Sequence, residues 1–198
     1  MTKQDYAPKG YPFSLGIRLT YLLDDNGLTV KSDVTNTGDT PAPFGLGFHP
    51  YFTVGTDTVN DIAMQIKAKS LVEFDDILKP TGKFIDVSLT NFDFNHQKKI
   101  DDLVIDNAFS ALIFTNGKNQ TIISNNKNRQ ITIWQDESFP YLQIFSADTL
   151  SEPHRRKIFA VEPYTCTGFA LNVPDMGLKV LQPKELFSGK WGVIPSVL

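Results

Sequence analysis

Three short segments of the sequence place one ionisable side chain among aromatic and apolar neighbours. The segments are residues 48–52, 104–109 and 159–164, and their ionisable residues are His49, Asp106 and Glu162. Burying an unpaired charge costs several kcal/mol, so packing alone does not favour such residues in a strand core. The pattern therefore indicates candidates for proton transfer and for binding a polar ligand.

His49 and Glu162 have the properties of an acid and a base. A histidine side chain can give or take a proton near neutral pH. Glu162 precedes Pro163 at the end of an apolar run, where partial desolvation would raise the pKa of a carboxylate towards that of a working base. Two other interpretations stay open from the sequence. The imidazole can simply hydrogen-bond a backbone carbonyl, and the glutamate can face solvent or pair with Arg155 or Arg156.

Asp106 has two interpretations of its own. Its carboxylate can accept hydrogen bonds from the hydroxyls of a ligand, with the neighbouring amide of Asn107 as a second contact. Asp-Asn is equally common in turns. The sequence does not decide between a binding role and a turn.

Other kinds of catalytic site have little support. No two His or Cys residues occur at metal-ligand spacing, and the sequence contains neither a glycine-rich phosphate loop nor a G-x-S-x-G segment. Cys166, the one cysteine, cannot form an internal disulfide. Such a residue is more often a small hydrophobe than a nucleophile. We therefore expect acid and base chemistry with no metal and no cofactor.

The elements that must position these residues are strands. Residues 14–21 and 28–34 alternate between polar and apolar side chains around the turn sequence 24–27, which predicts a hairpin. Further strands are predicted at 63–68, 111–114, 121–123, 130–134 and 141–145, with 177–181 as the last. No helical period is evident. The sequence predicts an all-β fold whose antiparallel sheets pack face to face or close into a barrel.

Composition limits the size of the fold and the kind of partner. With 198 residues, 41% of them hydrophobic, we expect a single domain over residues 1–198, of which the first ten are loosely held. The formal charge of −3 argues against binding nucleic acid. No apolar run approaches the roughly 18 residues that cross a bilayer, and the N-terminus does not resemble a signal peptide. These features predict a cytoplasmic protein that binds neither nucleic acid nor membranes.

In this order, the three segments resemble those of the aldose 1-epimerase (galactose mutarotase-like) family. That family's H-x-Y-F, D-[HDN]-x-F and E-P then A-x-N segments are similar to residues 47–52, 104–109, 160–164 and 170–174. By this resemblance, His49 falls on the family's general acid and Glu162 on its general base. Asp106 falls on the carboxylate that holds sugar hydroxyls.

The resemblance covers nearly the whole chain and implies a large antiparallel β-sandwich, the supersandwich. It also implies interconversion of the α and β anomers of an aldohexose by proton transfer, without a cofactor. The expected sugar contacts are Asp106, Asn107 and Tyr51. Phe48 and Phe52 are better interpreted as core packing than as a surface for stacking a sugar, because aromatic side chains are first of all hydrophobic bulk.

The resemblance begins in the middle of the family's domain. Residues 11–13 are similar to a segment from the middle of that domain. In family members, the part before this segment contributes an arginine and a further histidine to the sugar site, and neither residue has a counterpart here. We therefore expect the catalytic portion of an N-terminally truncated sandwich. Removing strands exposes sheet edges and apolar faces, which predicts a homo-oligomer or a partner chain that covers them.

Three alternative functions remain open. The first is a non-catalytic carbohydrate-binding protein with the same site. The second is a hexose-6-phosphate 1-epimerase-like enzyme in which Arg155, Arg156 and Lys157 hold the phosphate, although the run is also typical of a solvated loop. The third is glycoside cleavage by Asp106 and Glu162 as paired carboxylates.

Overall fold

The computed structural model of the chain describes residues 10–125 and 127–197. The expectation that the first ten residues are loosely held concerns residues that lie, apart from Gly10, outside this part. The strands in the described part are β1 Leu15–Asp24, β2 Gly27–Asn36, β3 Ala42–Phe44, β4 Tyr51–Phe52, β5 Ala63–Ile66, β6 Ala68–Phe74, β7 Pro80–Asp86, β8 Lys98–Lys99, β9 Asp106–Leu112, β10 Lys118–Ser124, β11 Arg129–Asp136, β12 Tyr141–Phe145, β13 Phe159–Tyr164, β14 Lys179–Leu181 and β15 Leu186–Val197. Short 3₁₀ helices are found at Val59–Asp61, Val87–Leu89 and Pro174–Met176.

These strands form two large sheets and one small one. The first has seven strands in the order β1-β2-β15-β11-β10-β5-β8, and the second has six in the order β4-β13-β12-β9-β6-β7. Strands β14 and β3 form a separate pair. The pairings are antiparallel, and both large sheets are open. The all-β prediction and the sandwich are confirmed, and the sheets do not close into a barrel.

The main core lies between the two large sheets. Val30 and Ile133 from the seven-stranded sheet are buried in one cluster with Phe109, Leu142 and Val161 from the six-stranded sheet. Successive strand residues point to opposite faces, so the neighbours of these residues face away from the core. The outer face of the six-stranded sheet is therefore available for a site.

Several predicted strands agree with the structure, and three predictions need correction. The strand predicted at 111–114 lies earlier in the chain, since β9 begins at Asp106 and ends at Leu112. The hairpin is β1–β2, and the prediction at 141–145 is β12. The single strand predicted at 63–68 is wrong, because the chain changes sheets at Lys67. The prediction that 177–181 is the last strand is also wrong, since the twelve-residue β15 follows it.

Strand β15 is difficult to predict from the sequence because it contains residues that are typical of turns. Gly189, Gly192 and Pro195 interrupt its alternation. At Gly192 the glycine is required by close packing, since a Cβ there would lie 2.4 Å from the carbonyl oxygen of Leu28 and 2.6 Å from the Trp134 ring. Gly192 is therefore needed where neighbouring groups of the sheet pack closely against its backbone, and it does not form a turn.

No helix in the described part of the chain has both the length and the apolar character needed to cross a bilayer.

Candidate active site

The outer face of the six-stranded sheet aligns the acidic residues of the site. On adjacent strands, Glu162 of β13 is paired in register with Gln143 of β12, and Phe145 of β12 with Asp106 of β9. Val161 belongs to the core, so the alternation of the strand turns Glu162 to the outer face. Strand register thus brings two carboxylates and one amide to the same surface.

His49 reaches this surface from the loop before β4. Its Nε2 atom lies 3.2 Å from Oε1 of Glu162, and the side chains of the two residues are 50% and 2% exposed respectively. The hydroxyl of Tyr164 donates a hydrogen bond to the other carboxylate oxygen, Oε2. Glu162 is therefore a buried carboxylate with two specific partners, and the alternatives of a solvent-facing glutamate or one paired with an arginine are wrong.

Asp106 opens strand β9 instead of forming a turn. The Nε2 amide of Gln143 donates a hydrogen bond of 2.6 Å to its Oδ1 atom. Desolvation by burial raises the pKa of Asp106, although the hydrogen bond from Gln143 and the charge of His49 act in the opposite direction. The other carboxylate oxygen of Asp106, Oδ2, makes no hydrogen bond with the described residues, so it can accept one from a ligand hydroxyl.

The surroundings of Glu162 suit a proton acceptor. Burial raises the pKa of its carboxyl group, and the charge of Asp106 adds to this effect. The hydrogen bond from Tyr164 and the charge of His49 act against the rise without cancelling it. Burial, followed by the contact with Glu162, raises the pKa of Tyr164 as well, so its hydroxyl stays a donor. A carboxylate with a raised pKa is a better base near neutral pH.

These side chains surround an open cleft of about 310 Å³. Its lining consists of His49, Phe74, Leu78, Asp106, Gln143, Phe145, Thr149, Glu162, Tyr164 and Gly168. Polar groups form one part and three apolar side chains another, which is the usual composition of a small-molecule site. A second cleft of about 470 Å³ adjoins it and shares His49, Tyr164 and Gly168. The three residues singled out in the sequence thus converge on one cavity.

The two other expected sugar contacts lie outside the lining of this cleft. The ring of Tyr51 packs against the His49 imidazole, with 4.8 Å between ring centroids and a 33° interplanar angle. Asn107 follows Asp106 on β9 and so points to the opposite face, where its Oδ1 accepts a hydrogen bond from the Asp106 backbone N–H. Tyr51 thus supports the imidazole, and the geometry gives no support to a sugar contact by Asn107.

Two further aromatic residues pack against the main core as expected: Phe48 and Phe52 both contact it, and Phe48 also lines the second cleft. Cys166 is half-buried, and burial raises the pKa of its thiol, which disfavours a nucleophilic thiolate. His96 and His154, which the polar sequence around them marks as surface residues, are exposed. Within the described residues, no group of three or more His, Cys, Asp and Glu side chains is placed to hold a metal ion.

Sequence reasoning gave no role to Gln143 or Tyr164. Gln143 is the single amide in the otherwise apolar and aromatic strand β12. Tyr164 lies two residues after Glu162, so both point to the same face of β13. The period of two in each strand could have identified them, but only the pairing of β12 with both β9 and β13 shows which partners they meet.

The basic run 154–157 contributes no residue to the lining of either cleft. Arg156 is engaged elsewhere: Nε donates to Asn60 Oδ1 at 3.0 Å, Nη1 to Asp148 Oδ1 at 2.7 Å and Nη2 to the Asp101 carbonyl at 2.7 Å. The Arg156 side chain is 15% exposed and that of Asp148 12%. This guanidinium therefore ties three segments of the chain together.

Replacing Arg156 with alanine is expected to lower the free energy of unfolding by about 3 kcal/mol, since it leaves Asp148 partly buried without a counter-charge. Chemical denaturation followed by tryptophan fluorescence measures the effect. Arg155→Ala, at an exposed neighbouring position, is the matched control and should change little. Equal stability of the two variants would contradict a structural role for Arg156.

The comparisons with known proteins agree with the observed fold. The family model for aldose 1-epimerase matches residues 1–191. An uncharacterized protein of Escherichia coli K12, YihR, is 28% identical over 186 residues, which is 92% of this chain and 58% of that protein. An aldose epimerase homologue from C. elegans superposes with a TM-score of 0.84 at 24% identity, over 98% of this chain and 63% of the other.

A galactose 1-epimerase from Lactobacillus acidophilus superposes with a TM-score of 0.80 at 19% identity, over 96% of this chain and 60% of that protein. These structural matches establish the fold. The chain spans about three-fifths of the length of these relatives. With the family model matched over nearly all of its residues, the chain belongs to the aldose 1-epimerase family.

Proposed function

We propose that this chain interconverts the α and β anomers of a free aldohexose by general acid and base catalysis. The observation that carries the proposal is the contact of 3.2 Å between His49 Nε2 and the buried Glu162 carboxylate, inside a cleft that also contains Asp106. Ring opening needs a proton removed from the C1 hydroxyl and another delivered to the ring oxygen. Both oxygens are bonded to the same carbon, so the acid and the base must lie close together, as these two groups do.

The proposed steps balance without a cofactor. Glu162 takes the proton from the C1 hydroxyl while protonated His49 delivers a proton to the ring oxygen, and the bond between C1 and the ring oxygen breaks. The product is the open-chain aldehyde. Rotation about the C1–C2 bond exposes the other face of the carbonyl group. The two residues then reverse their roles and close the ring as the other anomer.

The rest of the cleft supports an uncharged substrate. Asp106, held by Gln143, can accept hydrogen bonds from sugar hydroxyls, and Phe74 and Phe145 provide an apolar wall. No lysine or arginine occurs among the described residues that line either cleft. A phosphate group would find no counter-charge there, which favours a free hexose over a hexose 6-phosphate.

Polarimetry tests the proposal directly. Freshly dissolved α-D-glucose or α-D-galactose should approach its equilibrium rotation faster with the protein than without it. Hexose 6-phosphates should show a smaller acceleration, and a chromogenic glycoside should not be cleaved. Sugar binding without any acceleration would instead support the carbohydrate-binding alternative, and release of the chromogenic group would support glycoside cleavage.

Tyr164→Phe is expected to reduce the catalysed rate by about tenfold, because it removes a hydrogen bond to a charged group. The same bond opposes the raised pKa of Glu162, so its loss should also move the acid limb of the pH–rate profile to higher pH. Stopped-flow polarimetry over a pH series measures both effects. A slower enzyme whose pH profile is unchanged would contradict the role given to the hydroxyl.

Asp106→Asn is expected to raise KM for the sugar by about tenfold while kcat changes less, because a neutral amide accepts hydrogen bonds from hydroxyls more weakly than a carboxylate. Initial rates over a range of sugar concentrations separate the two constants. Asp39→Asn, at an exposed loop position, is the control. A fall in kcat with unchanged KM would place Asp106 in proton transfer instead of binding.

A further inference from the structure

Strand β1 presents an uncovered apolar face at one end of the seven-stranded sheet. The residues of this face are Ile17, Leu19, Tyr21 and Leu23, which are 43%, 42%, 63% and 79% exposed. In the β1–β2 pairing, Tyr21 lies opposite Val30 and Ile17 lies opposite Val34. These two valines of β2 are 0% and 1% exposed. Paired residues share a face of the sheet, so these exposed side chains of β1 lie on the core side of the sheet.

The outer edge of β1 is also open among the described residues. β1 occupies the end of its sheet and runs for ten residues. The backbone N–H of Thr37 donates to the Ser14 carbonyl, which extends the β1–β2 register by one pair. Hydrogen-bonded pairs alternate along an antiparallel ladder. The even-numbered residues of β1 therefore bond to β2, and the odd-numbered residues direct their N–H and C=O groups to the open edge.

We propose that a second copy of this chain pairs with β1 in an antiparallel arrangement, with a two-fold axis at Tyr21. In this register Tyr21 lies opposite Tyr21 of the second copy. Leu19 of each copy lies opposite Leu23 of the other. Arg18 faces Asp24 twice, so the pairing is complementary in charge. The contact is isologous, as a two-fold interface requires, and it continues the sheet through both copies.

Charge and backbone geometry together select this register. Sliding the strands by two residues would bring Arg18 opposite Leu22 or Asn26, and the ion pairs would be lost. With the odd residues hydrogen-bonded, Arg18 and Asp24 form a non-hydrogen-bonded pair, the kind in which opposing side chains lie closest. Arg18 is also the cross-strand partner of Asp33, so it would lie between two carboxylates.

The proposed contact is independent of the candidate active site. β1 lies in the seven-stranded sheet, whereas the site is on the outer face of the six-stranded one. A negative result in the sugar assay would therefore not argue against the dimer. A monomeric chain would likewise not argue against the proposed sugar chemistry. Pairing would satisfy the outward N–H and C=O groups of odd-numbered residues of β1, which otherwise act as a template for aggregation.

Charge reversal tests the register. Sedimentation equilibrium of the whole chain should detect a dimer whose dissociation constant rises by about tenfold in Arg18→Asp and in Asp24→Arg, since each replaces two attractions with two repulsions. The double variant Arg18→Asp/Asp24→Arg restores both ion pairs and should return the dissociation constant towards that of the unaltered chain. Lys83→Asp on edge strand β7 is the matched control and should have no effect.

Disulfide trapping gives a second readout that does not depend on the stability of the charge variants. Facing Cα atoms of a hydrogen-bonded pair lie about 5.5 Å apart, within the range that a disulfide spans. Tyr21→Cys in a Cys166→Ser background should oxidise to a covalent dimer, and Thr20→Cys, on the other face of the strand, should do so much more slowly. A monomer at high concentration, a dimer indifferent to both single reversals, or no rescue in the double variant would overturn the proposal.

Discussion

Glu162→Gln is expected to lower the rate of catalysed anomer interconversion by ~10²–10⁴-fold, the usual contribution of one proton-transfer group. Glutamine keeps the shape of the side chain and can still accept the hydrogen bond of Tyr164, but it cannot take a proton. The measurement is polarimetry of a freshly dissolved aldohexose at saturating concentration. Glu137→Gln, at an exposed turn position, is the control and should retain full activity.

The same substitution should make the protein more stable, and increasingly so as pH rises. The folded-state pKa of Glu162 is raised above its ordinary value of 4.5. Between the two values the folded chain binds more protons than the unfolded chain, so the contribution of this group to stability falls as pH rises through that window. Glutamine has no such dependence. A lower Tm for Glu162→Gln than for the unaltered chain at neutral pH would contradict a buried carboxylate whose pKa is raised by desolvation.

His49→Gln is expected to cause a loss of similar size, ~10²–10⁴-fold, because the ring oxygen would then leave without a proton donor. It should also change the pH dependence in a specific way. The charge of His49 holds the pKa of Glu162 down, so its removal should raise that pKa and move the acid limb of the residual activity to higher pH. Stopped-flow polarimetry over a pH series follows both changes.

The control for this substitution is His96→Gln, which alters an exposed histidine in a polar loop. It should leave the rate and the pH profile unchanged. The proposed role of His49 would be wrong if His49→Gln kept the rate of the unaltered chain, or if its acid limb moved to lower pH.

The architecture was predictable where local alternation agrees with the final burial. The β1–β2 hairpin follows from period-two alternation around the turn at 24–27, and β12 from its compact apolar run. The sheet change at Lys67 was not predictable, because residues on either side of it keep the same alternation while pairing with different strands. β15 was missed because its two glycines and its proline are typical of turns, although all three lie within a twelve-residue strand.

The site was predictable as a set of residue types, and its geometry was not. His49, Asp106 and Glu162 stood out because each is an ionisable residue in an apolar segment, and the structure brings all three to one cleft. The sequence could not show that Asn107 faces away from Asp106, or that Tyr51 supports the imidazole. Gln143 and Tyr164 were missed because their importance comes from strand register, which local patterns do not encode.

The expectation of uncovered apolar surface has a specific location in the structure. A β-sandwich normally covers the inner face of each strand with the opposite sheet. On the core side of β1, however, Ile17, Leu19, Tyr21 and Leu23 are exposed in the described part of the chain. The proposed dimer contact would extend the sheet at this strand, and the charges of Arg18 and Asp24 would set its register.

The most direct test of proton transfer by His49 and Glu162 is magnetisation transfer between the two anomeric protons of an aldohexose at equilibrium, measured by NMR in the presence of the chain. Rapid transfer is expected with the unaltered chain for at least one free aldohexose, and almost none with His49→Gln or Glu162→Gln. The double variant should be no slower than either single one, because the two residues act as a unit. The proposed roles of these two residues would be contradicted if transfer persisted at full rate without their side chains. They would also be contradicted if the unaltered chain gave no transfer for any aldohexose.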